Sequence, residues 1–188
     1  MFLRRGGTRE RAPFSSRLIL ITGGARSGKS RFAQSLAEQG AYQRRLFLAT
    51  AVACDPEMRR RIAAHRRSRN GLWETVEEPV RLPERIPGRF LRNGSLLLLD
   101  CLPTFATNLL LNGHSEKRIE AKVKALLKAC RRPGVTGLLV TNEVGLGIVP
   151  ENRLGRRFRD LLGVLNQQAA AAADEVYLMV AGLPVRVK

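Results

Sequence analysis

The residues with the clearest chemical signature are the segment GGARSGKS at 23–30. It lies between an apolar, strand-like segment at 18–22 and a helix-competent segment at 31–39. Glycines let a loop turn tightly and point consecutive N–H groups inward, and these groups together with a helix N-terminus bind phosphate. Lys29 can reach the β- and γ-phosphates, and Ser30 can ligate Mg²⁺. The segment therefore predicts a phosphate-binding loop (P-loop) for a nucleoside triphosphate, with these contacts: Gly23, Gly24, Ala25, Arg26, Ser27, Gly28, Lys29 and Ser30.

Asp100 closes the apolar run Leu96–Asp100, which reads as a buried strand. An acidic residue in this position, in a chain that also carries a P-loop, is typical of a Mg²⁺ ligand. In open α/β sheets, ligands bind at the carboxyl ends of the strands. We therefore expect Asp100 to share one edge of the sheet with the P-loop, Thr50 and the pair Asn142-Glu143.

His65 is the second residue with distinctive chemistry. It falls on the same predicted helix face as Met58 and Ile62, at spacings of four and three residues. A neutral imidazole in this position can act as a nucleophile towards phosphorus, but it can equally be a half-buried histidine bonded to a neighbour. Several nearby arginines would favour a polyphosphate or, alternatively, form a solvated face: Arg61, Arg66, Arg67 and Arg69.

Glu77 and Glu78 precede Pro79. A pair of acids before proline is usually a polar turn, although Glu77 could also accept hydrogen bonds from a ribose or a guanine. His114, in the segment Asn112–Ser115, is expected in a surface loop.

Five short, almost continuous apolar runs predict strands buried on both faces, as in a parallel sheet. They are Arg17–Thr22, Arg45–Thr50, Ser95–Asp100, Thr136–Thr141 and Glu175–Ala181. Leu72–Val76 and Val185–Lys188 are candidate edge strands. Helical patterns at 31–39, 55–69, 116–131 and from Pro150 onwards separate most of the runs. The predicted fold is α/β and P-loop NTPase-like, with a mainly parallel sheet of five or more strands and helices on both faces.

The length of 188 residues fits one catalytic domain, expected at 17–188, after a basic tail at 1–16 that we expect to be disordered. No apolar run is long enough to span a membrane. The net charge of +17 is compatible with nucleic-acid binding, but an aromatic content of 5% leaves few stacking platforms, so nucleic acid is an unlikely ligand. Three cysteines without metal-site spacing favour a reduced, cytoplasmic compartment.

Several motifs in collinear order from about residue 17 to the end of the chain resemble the adenosylcobinamide kinase / adenosylcobinamide-phosphate guanylyltransferase family. A P-loop alone occurs in many families, whereas this ordered set is specific. Besides the P-loop, the matching segments are Leu48–Ala51, Asp55–Met58, Arg61-Ile62, His65-Arg66, Trp73–Pro79, Thr107–Leu110, Thr141–Gly145, Ile148–Leu154, Phe158–Asp160 and Asn166–Val176.

The resemblance implies a bifunctional cytoplasmic enzyme of adenosylcobalamin assembly. Such an enzyme phosphorylates adenosylcobinamide with ATP or GTP and then transfers GMP from GTP to the new phosphate through a guanylyl-histidine, which matches His65. It also implies Mg²⁺ as cofactor, with Ser30 and Asp100 as its ligands here, and a homo-oligomer, specifically a trimer. Beyond the P-loop, the implied nucleotide contacts are Thr50, Ala51, Val52, Arg66, Arg67, Ser68, Arg69, Glu77 and Asp100.

Two other functions remain open from the residues alone. A monofunctional P-loop kinase for a small metabolite would use the loop and Asp100 but would not need His65. A nucleotide-gated nucleic-acid binder would use the arginines and would bind with steep salt dependence.

Overall fold

The computed structural model describes residues 16–67 and 71–188, without the side chains of Arg61 and His65. Within this part of the chain there are seven strands: β1 Arg17–Gly23, β2 Arg44–Ala49, β3 Trp73–Glu77, β4 Ser95–Asp100, β5 Val135–Val140, β6 Glu175–Val180 and β7 Leu183–Arg186. The same residues form five α-helices and one short 3-10 helix: α1 Lys29–Gln39, α2 Pro56–Arg67, α3 Leu102–Leu111, α4 Glu116–Cys130, α5 Arg153–Ala172, and the 3-10 turn Gly88–Phe90.

The described strands form one sheet in the order β3-β2-β4-β5-β1-β6-β7. Every neighbouring pair is parallel except β6 and β7, which pair antiparallel. The predicted α/β fold with a mainly parallel sheet is therefore confirmed. The expected tail falls, apart from Ser16, outside the described residues.

Alternate residues of the central strands build two apolar cores, one on each face of the sheet. On one face, Ala33 and Ala37 of α1 pack with residues such as Ile21 and Leu98. On the other, α3, α4 and α5 pack with residues such as Leu20 and Leu99. All six residues of β5 are buried because helices cover both faces, which is why these strands read as continuous apolar runs.

The predicted elements agree with the structure to within a few residues, with one omission. Helix α3 was not predicted, because seven of its ten residues are apolar and its polar residues Thr104, Thr107 and Asn108 form only a narrow stripe on one face. The long helix begins at Arg153 rather than near Pro150, because the Asn152 side chain accepts a hydrogen bond from the Gly155 N–H and so caps it. None of the described helices is long and apolar enough to cross a membrane.

A buried carboxylate joins the first strand to the sixth. Glu175, which is 5% exposed, accepts hydrogen bonds from Arg17 and from the Tyr177 hydroxyl, the latter at 2.8 Å. Burial by itself raises the pKa of the Glu175 carboxyl, but the hydrogen bonds from Arg17 and Tyr177 outweigh this effect and hold the pKa below its ordinary value. The ionised carboxylate therefore stabilises the fold.

Replacing Glu175 by glutamine should lower the free energy of unfolding at pH 7 by about 1–2 kcal/mol, because the charge-assisted hydrogen bonds are lost. The folded pKa lies below the unfolded value near 4.5, so this contribution is present above that pH and disappears as the pH falls through the folded pKa. Urea unfolding over a pH series measures it. The two proteins should converge in acid, and a gap that persists there would contradict the assignment. Glu38→Gln, an exposed change on α1, is the control.

Candidate active site

The P-loop joins β1 to α1 and has the backbone that its glycines predict. Gly23 and Gly28 have φ angles of 143° and 93°, which side chains rarely allow. A Cβ on Gly23 would also lie 2.6 Å from the Met179 carbonyl oxygen of β6. The Ser27 carbonyl accepts a hydrogen bond of 3.1 Å from the N–H of Gly182, in the turn between β6 and β7. The loop is thus held by β1 on one side and by this turn on the other.

Lys29 is buried at the start of α1, with 7% of its surface exposed. Its Nζ donates to the Gly24 carbonyl at 2.5 Å and lies 3.5 Å from the Ser27 hydroxyl. Burial lowers the pKa of Lys29, and the nearby Cys101 and Asp100 act in the opposite direction. A cation held on the inner side of the P-loop and removed from water is placed to bind phosphate oxygens.

Strand pairing brings the predicted acidic residues to one level at the carboxyl edge of the sheet. Ala49 of β2 pairs with both Glu77 of β3 and Asp100 of β4, and Asp100 pairs with Val140 of β5. Residues that follow these strands therefore meet at this edge, as the sequence predicts.

A cavity of about 680 Å³ lies between this edge and helix α2. Its volume is in the range that holds one small ligand such as a nucleotide. Among the described residues that line it, four belong to the predicted site: Ala51, Arg66, Glu77 and Asp100. Other lining residues are Phe47, Ala49, Ala53, Met58, Arg59, Ile62, Ala63, Cys101, Thr104 and Asn142.

Helix α2 begins as its sequence predicts and presents one face to the cavity. Asp55 caps it, its carboxylate accepting a hydrogen bond of 2.7 Å from the Met58 N–H. Met58 and Ile62, one turn apart, line the cavity. His65 lies on the same helix, three residues after Ile62, and its side chain lies outside the described part of the structure.

The two neighbouring glutamates have different roles. Glu77 lines the cavity and accepts two hydrogen bonds from the Arg66 guanidinium, one of them 2.9 Å from Nε, so this pair connects α2 to the end of β3. Glu78 is buried and accepts from the N–H groups of Val80 and Arg81 at 3.1 and 2.9 Å. Glu78 therefore forms the polar turn expected before proline, while Glu77 is available to the cavity.

Other predicted nucleotide contacts are not among the described residues that line the cavity. Thr50 is fully buried, and its hydroxyl donates to the Cys101 carbonyl at 3.1 Å, so it positions the strand that carries Asp100. Val52 and Arg67 are exposed and do not appear among the described residues that line the cavity. Ser68 and Arg69 fall outside the described residues.

Cys101 and Thr104 line the cavity but were not proposed from the sequence. Cys101 lies 3.1 Å from the Thr104 hydroxyl, and burial, followed by the charge of Asp100, raises the pKa of the Cys101 thiol. The missed signal is Pro103, which follows a strand end closely and is typical of the first turn of a helix. A helix starting there would have placed Thr104 at the same edge as Asp100.

A buried polar network anchors the chain after β5. The Thr141 hydroxyl donates to the Asn166 side-chain oxygen at 2.7 Å, and the Asn166 amide donates to the Asn142 carbonyl at 2.9 Å. The Glu143 carboxylate accepts from the Thr22 hydroxyl at 3.0 Å and from Asn166 at 3.2 Å. Residues 141–143 are thereby fixed between α5 and the strand that leads into the P-loop.

The donor set suits Mg²⁺ bound together with phosphate. In the described part of the chain, no three His, Cys, Asp or Glu side chains are grouped to hold a metal ion. Mg²⁺ is commonly held by one or two carboxylates, substrate phosphates and water, rather than by an all-protein cage. Asp100 lies close enough to Lys29 to act on the pKa of its ammonium, and Ser30 follows Lys29 directly in α1.

Comparison with known proteins identifies the family of this chain. The family model described as cobinamide kinase / cobinamide phosphate guanyltransferase matches residues 19–187. The bifunctional adenosylcobalamin biosynthesis protein CobU of Escherichia coli (strain K12) is 45% identical over 183 residues, covering 91% of this chain and 99% of that protein. Its counterpart CobP of Pseudomonas aeruginosa (strain PAO1) is 43% identical over 169 residues, covering 90% and 96%.

Among solved structures, an ATPase from the type III secretion system of pathogenic bacteria aligns with a TM-score of 0.59 at 10% identity, covering 92% of this chain and 57% of that one. This likeness concerns the fold alone and agrees with the P-loop NTPase-like architecture. The family match and the relatives extend over most of the chain. The chain therefore belongs to the cobinamide kinase / cobinamide phosphate guanyltransferase family.

Proposed function

We propose that this protein is a bifunctional enzyme of adenosylcobalamin assembly. It phosphorylates the aminopropanol hydroxyl of adenosylcobinamide and then converts the phosphate into adenosylcobinamide-GDP. The observation that carries this proposal is the family match over residues 19–187, since the family description contains both activities. The matched region includes the P-loop and the whole described lining of the cavity.

In the kinase step, the substrate hydroxyl attacks the γ-phosphorus of ATP or GTP, and the nucleoside diphosphate leaves. Negative charge builds on the oxygens of the leaving diphosphate. The N–H groups of the P-loop and the ammonium of Lys29 stabilise that charge, and they are already oriented by the loop backbone and by burial. The preformed loop is what makes this step efficient.

In the guanylyl step, an imidazole nitrogen of His65 forms a bond to the α-phosphorus of GTP, and pyrophosphate leaves. An oxygen of adenosylcobinamide phosphate then attacks the same phosphorus, and the bond to His65 breaks. The transfer is thus divided into two displacements, with His65 as the nucleophile of the first and the leaving group of the second. The position of His65 on the helix that covers the cavity supports this assignment.

Nucleotide contacts follow from the same arrangement. We assign Arg66 to a phosphate and Glu77 to the ribose or the guanine, because both side chains line the cavity. Ala51 lines the cavity as well, and its neighbours Thr50 and Val52 belong to the same segment after β2. Arg67, Ser68 and Arg69 remain candidates from the family resemblance.

Ser30 and Asp100 would hold Mg²⁺, which neutralises charge on the bound phosphates. The family resemblance also leads us to propose a homotrimer that works in the cytoplasm, where ATP and GTP are available. Cys54, Cys101 and Cys130 are all free thiols in the structure, which is compatible with a reducing compartment. Sedimentation velocity on the purified protein tests the trimer.

Replacing His65 by asparagine should abolish covalent labelling of the protein by GTP carrying a labelled α-phosphate. Phosphorylation of adenosylcobinamide should persist, because that step needs the P-loop and not the imidazole. The matched control is His114→Asn, which changes the other histidine of the chain and should label like wild type. Equal labelling of wild type and His65→Asn would exclude the guanylyl-histidine.

Replacing Asp100 by asparagine should raise the Mg²⁺ concentration needed for half-maximal kinase activity about tenfold, because a charged metal ligand becomes neutral. A Mg²⁺ titration at saturating nucleotide measures this. Asp160→Asn, an exposed change on α5, is the control and should leave the titration unaltered. An unchanged Mg²⁺ requirement in Asp100→Asn would remove Asp100 from the metal site.

A further inference from the structure

Next to the active-site edge, the protein exposes a group of large apolar side chains. We call Leu111, Leu146, Ile148, Val149 and Leu154 the apolar rim. Leu146 and Ile148 are 85% and 94% exposed, which is unusual for side chains of this kind. A groove of about 250 Å³ adjoins the rim between α3 and α5, lined mainly by apolar side chains: Thr107, Leu110, Leu111, Asn152, Leu154, Gly155 and Phe158.

The groove and the catalytic cavity are built from the same two parts of the chain. On α3, Thr104 lines the cavity and Thr107, about one helical turn further, lines the groove. On the other side, Asn142 lines the cavity and Asn152 lines the groove, with the exposed residues 146–149 between them. A ligand that occupies the groove and the rim would therefore contact the same helix and the same loop that reach the cavity.

The α3 wall of the groove and the loop that carries the exposed rim residues have no basic side chain. The protein has 33 Lys and Arg residues, yet the segments 101–115 and 141–152 contain none, and their acidic residues are Glu143 and Glu151. The α5 wall does carry arginines, of which Arg156 donates to two carbonyls of the loop and Arg157 pairs with Glu116. The α3 wall and the loop therefore do not attract phosphate, and they suit a ligand that is apolar and not negatively charged.

The exposed residues are held in place at both ends of their loop. Glu143 is bonded to Thr22 and Asn166, as described above. At the other end, the Arg156 guanidinium donates to the Pro150 carbonyl at 2.9 Å and also to the Glu151 carbonyl. A loop anchored in this way presents its apolar side chains to a ligand with little loss of conformational entropy on binding.

We propose that the apolar rim and its groove bind the corrin macrocycle of the substrate, an inference that rests on the proposed function. A corrin is large, rimmed with methyl and amide groups, and carries a positively charged cobalt centre. The cavity of about 680 Å³ has room for one nucleotide-sized ligand, so a macrocycle bound at the same time would lie outside it. With the macrocycle on the rim, only its aminopropanol arm enters the cavity, where the hydroxyl or phosphate meets the nucleotide.

The test is the double variant Leu146→Ser/Ile148→Ser, assayed in both half-reactions. We expect the KM for adenosylcobinamide in the kinase reaction to rise about tenfold, since two apolar contacts are removed. The KM for ATP and the covalent labelling by GTP without corrinoid should not change, because neither uses the rim. Unaltered labelling also shows that the variant is folded.

The matched control is Leu72→Ser/Val187→Ser. These side chains are also exposed, at 62% and 65%. Leu72 precedes β3 and Val187 follows the antiparallel β7, so both lie at the end of the sheet opposite the carboxyl ends of the parallel strands. This variant should keep the wild-type KM for adenosylcobinamide.

An unchanged KM for adenosylcobinamide in the rim variant overturns the inference. Loss of assembly in sedimentation velocity with that KM unchanged also overturns it, and indicates that a second copy of the chain covers the rim. Failure of the proposed function would give a different result, because the wild-type protein itself would then neither phosphorylate adenosylcobinamide nor be labelled by GTP.

Discussion

The parallel pairing of β2, β3, β4 and β5 is the constraint on which the site depends. Parallel strands end at the same edge, and the observed register places Ala49, Glu77, Asp100 and Val140 at one level. A shift of one residue in a single strand would turn its side chains to the opposite face and remove its last residue from the cavity. The buried apolar residues of these strands prevent such a shift, because both faces are packed against helices. The positions of the residues at the strand ends are therefore fixed by the packing of the strands against the helices.

Two restraints shape the P-loop at this edge. The contact of β6 with Gly23 leaves no space for a side chain, so the loop must turn at a glycine and continue with its N–H groups directed inward. Lys29 is buried beside the loop, and its ammonium donates a hydrogen bond to the Gly24 carbonyl. A buried ammonium whose pKa is lowered by desolvation gains more from a bound polyphosphate than a solvated one does. Because Lys29 is already desolvated in the free protein, binding of a polyphosphate requires little further desolvation of the cation.

The parts of the site that could be predicted are those in which one short segment determines its own geometry. The P-loop, the Asp55 cap of α2 and the strand that ends at Asp100 belong to this class, because local spacing and capping chemistry define them. Helix α3 and its cavity residue Thr104 gave a weaker local signal, since the polar stripe of Thr104, Thr107 and Asn108 is narrow in a helix whose other residues are apolar. The separate roles of Glu77 and Glu78 also depend on tertiary contacts, with Arg66 on one side and the turn at residues 80–81 on the other. Adjacent identical residues give no local signal that distinguishes them.

The distribution of charge around the site is uneven, and this bears on both proposed ligands. Arg59 and Arg66 of α2 line the cavity, and the positive field of a chain with a net charge of +17 favours any polyphosphate. The same field would repel a cationic macrocycle over most of the surface. The segments 101–115 and 141–152 contain no Lys or Arg, so a macrocycle that approaches over them, as we propose, would meet weaker repulsion. Electrostatics and apolar contact would then act together, because the loop that lacks basic side chains is also the one that exposes Leu146 and Ile148.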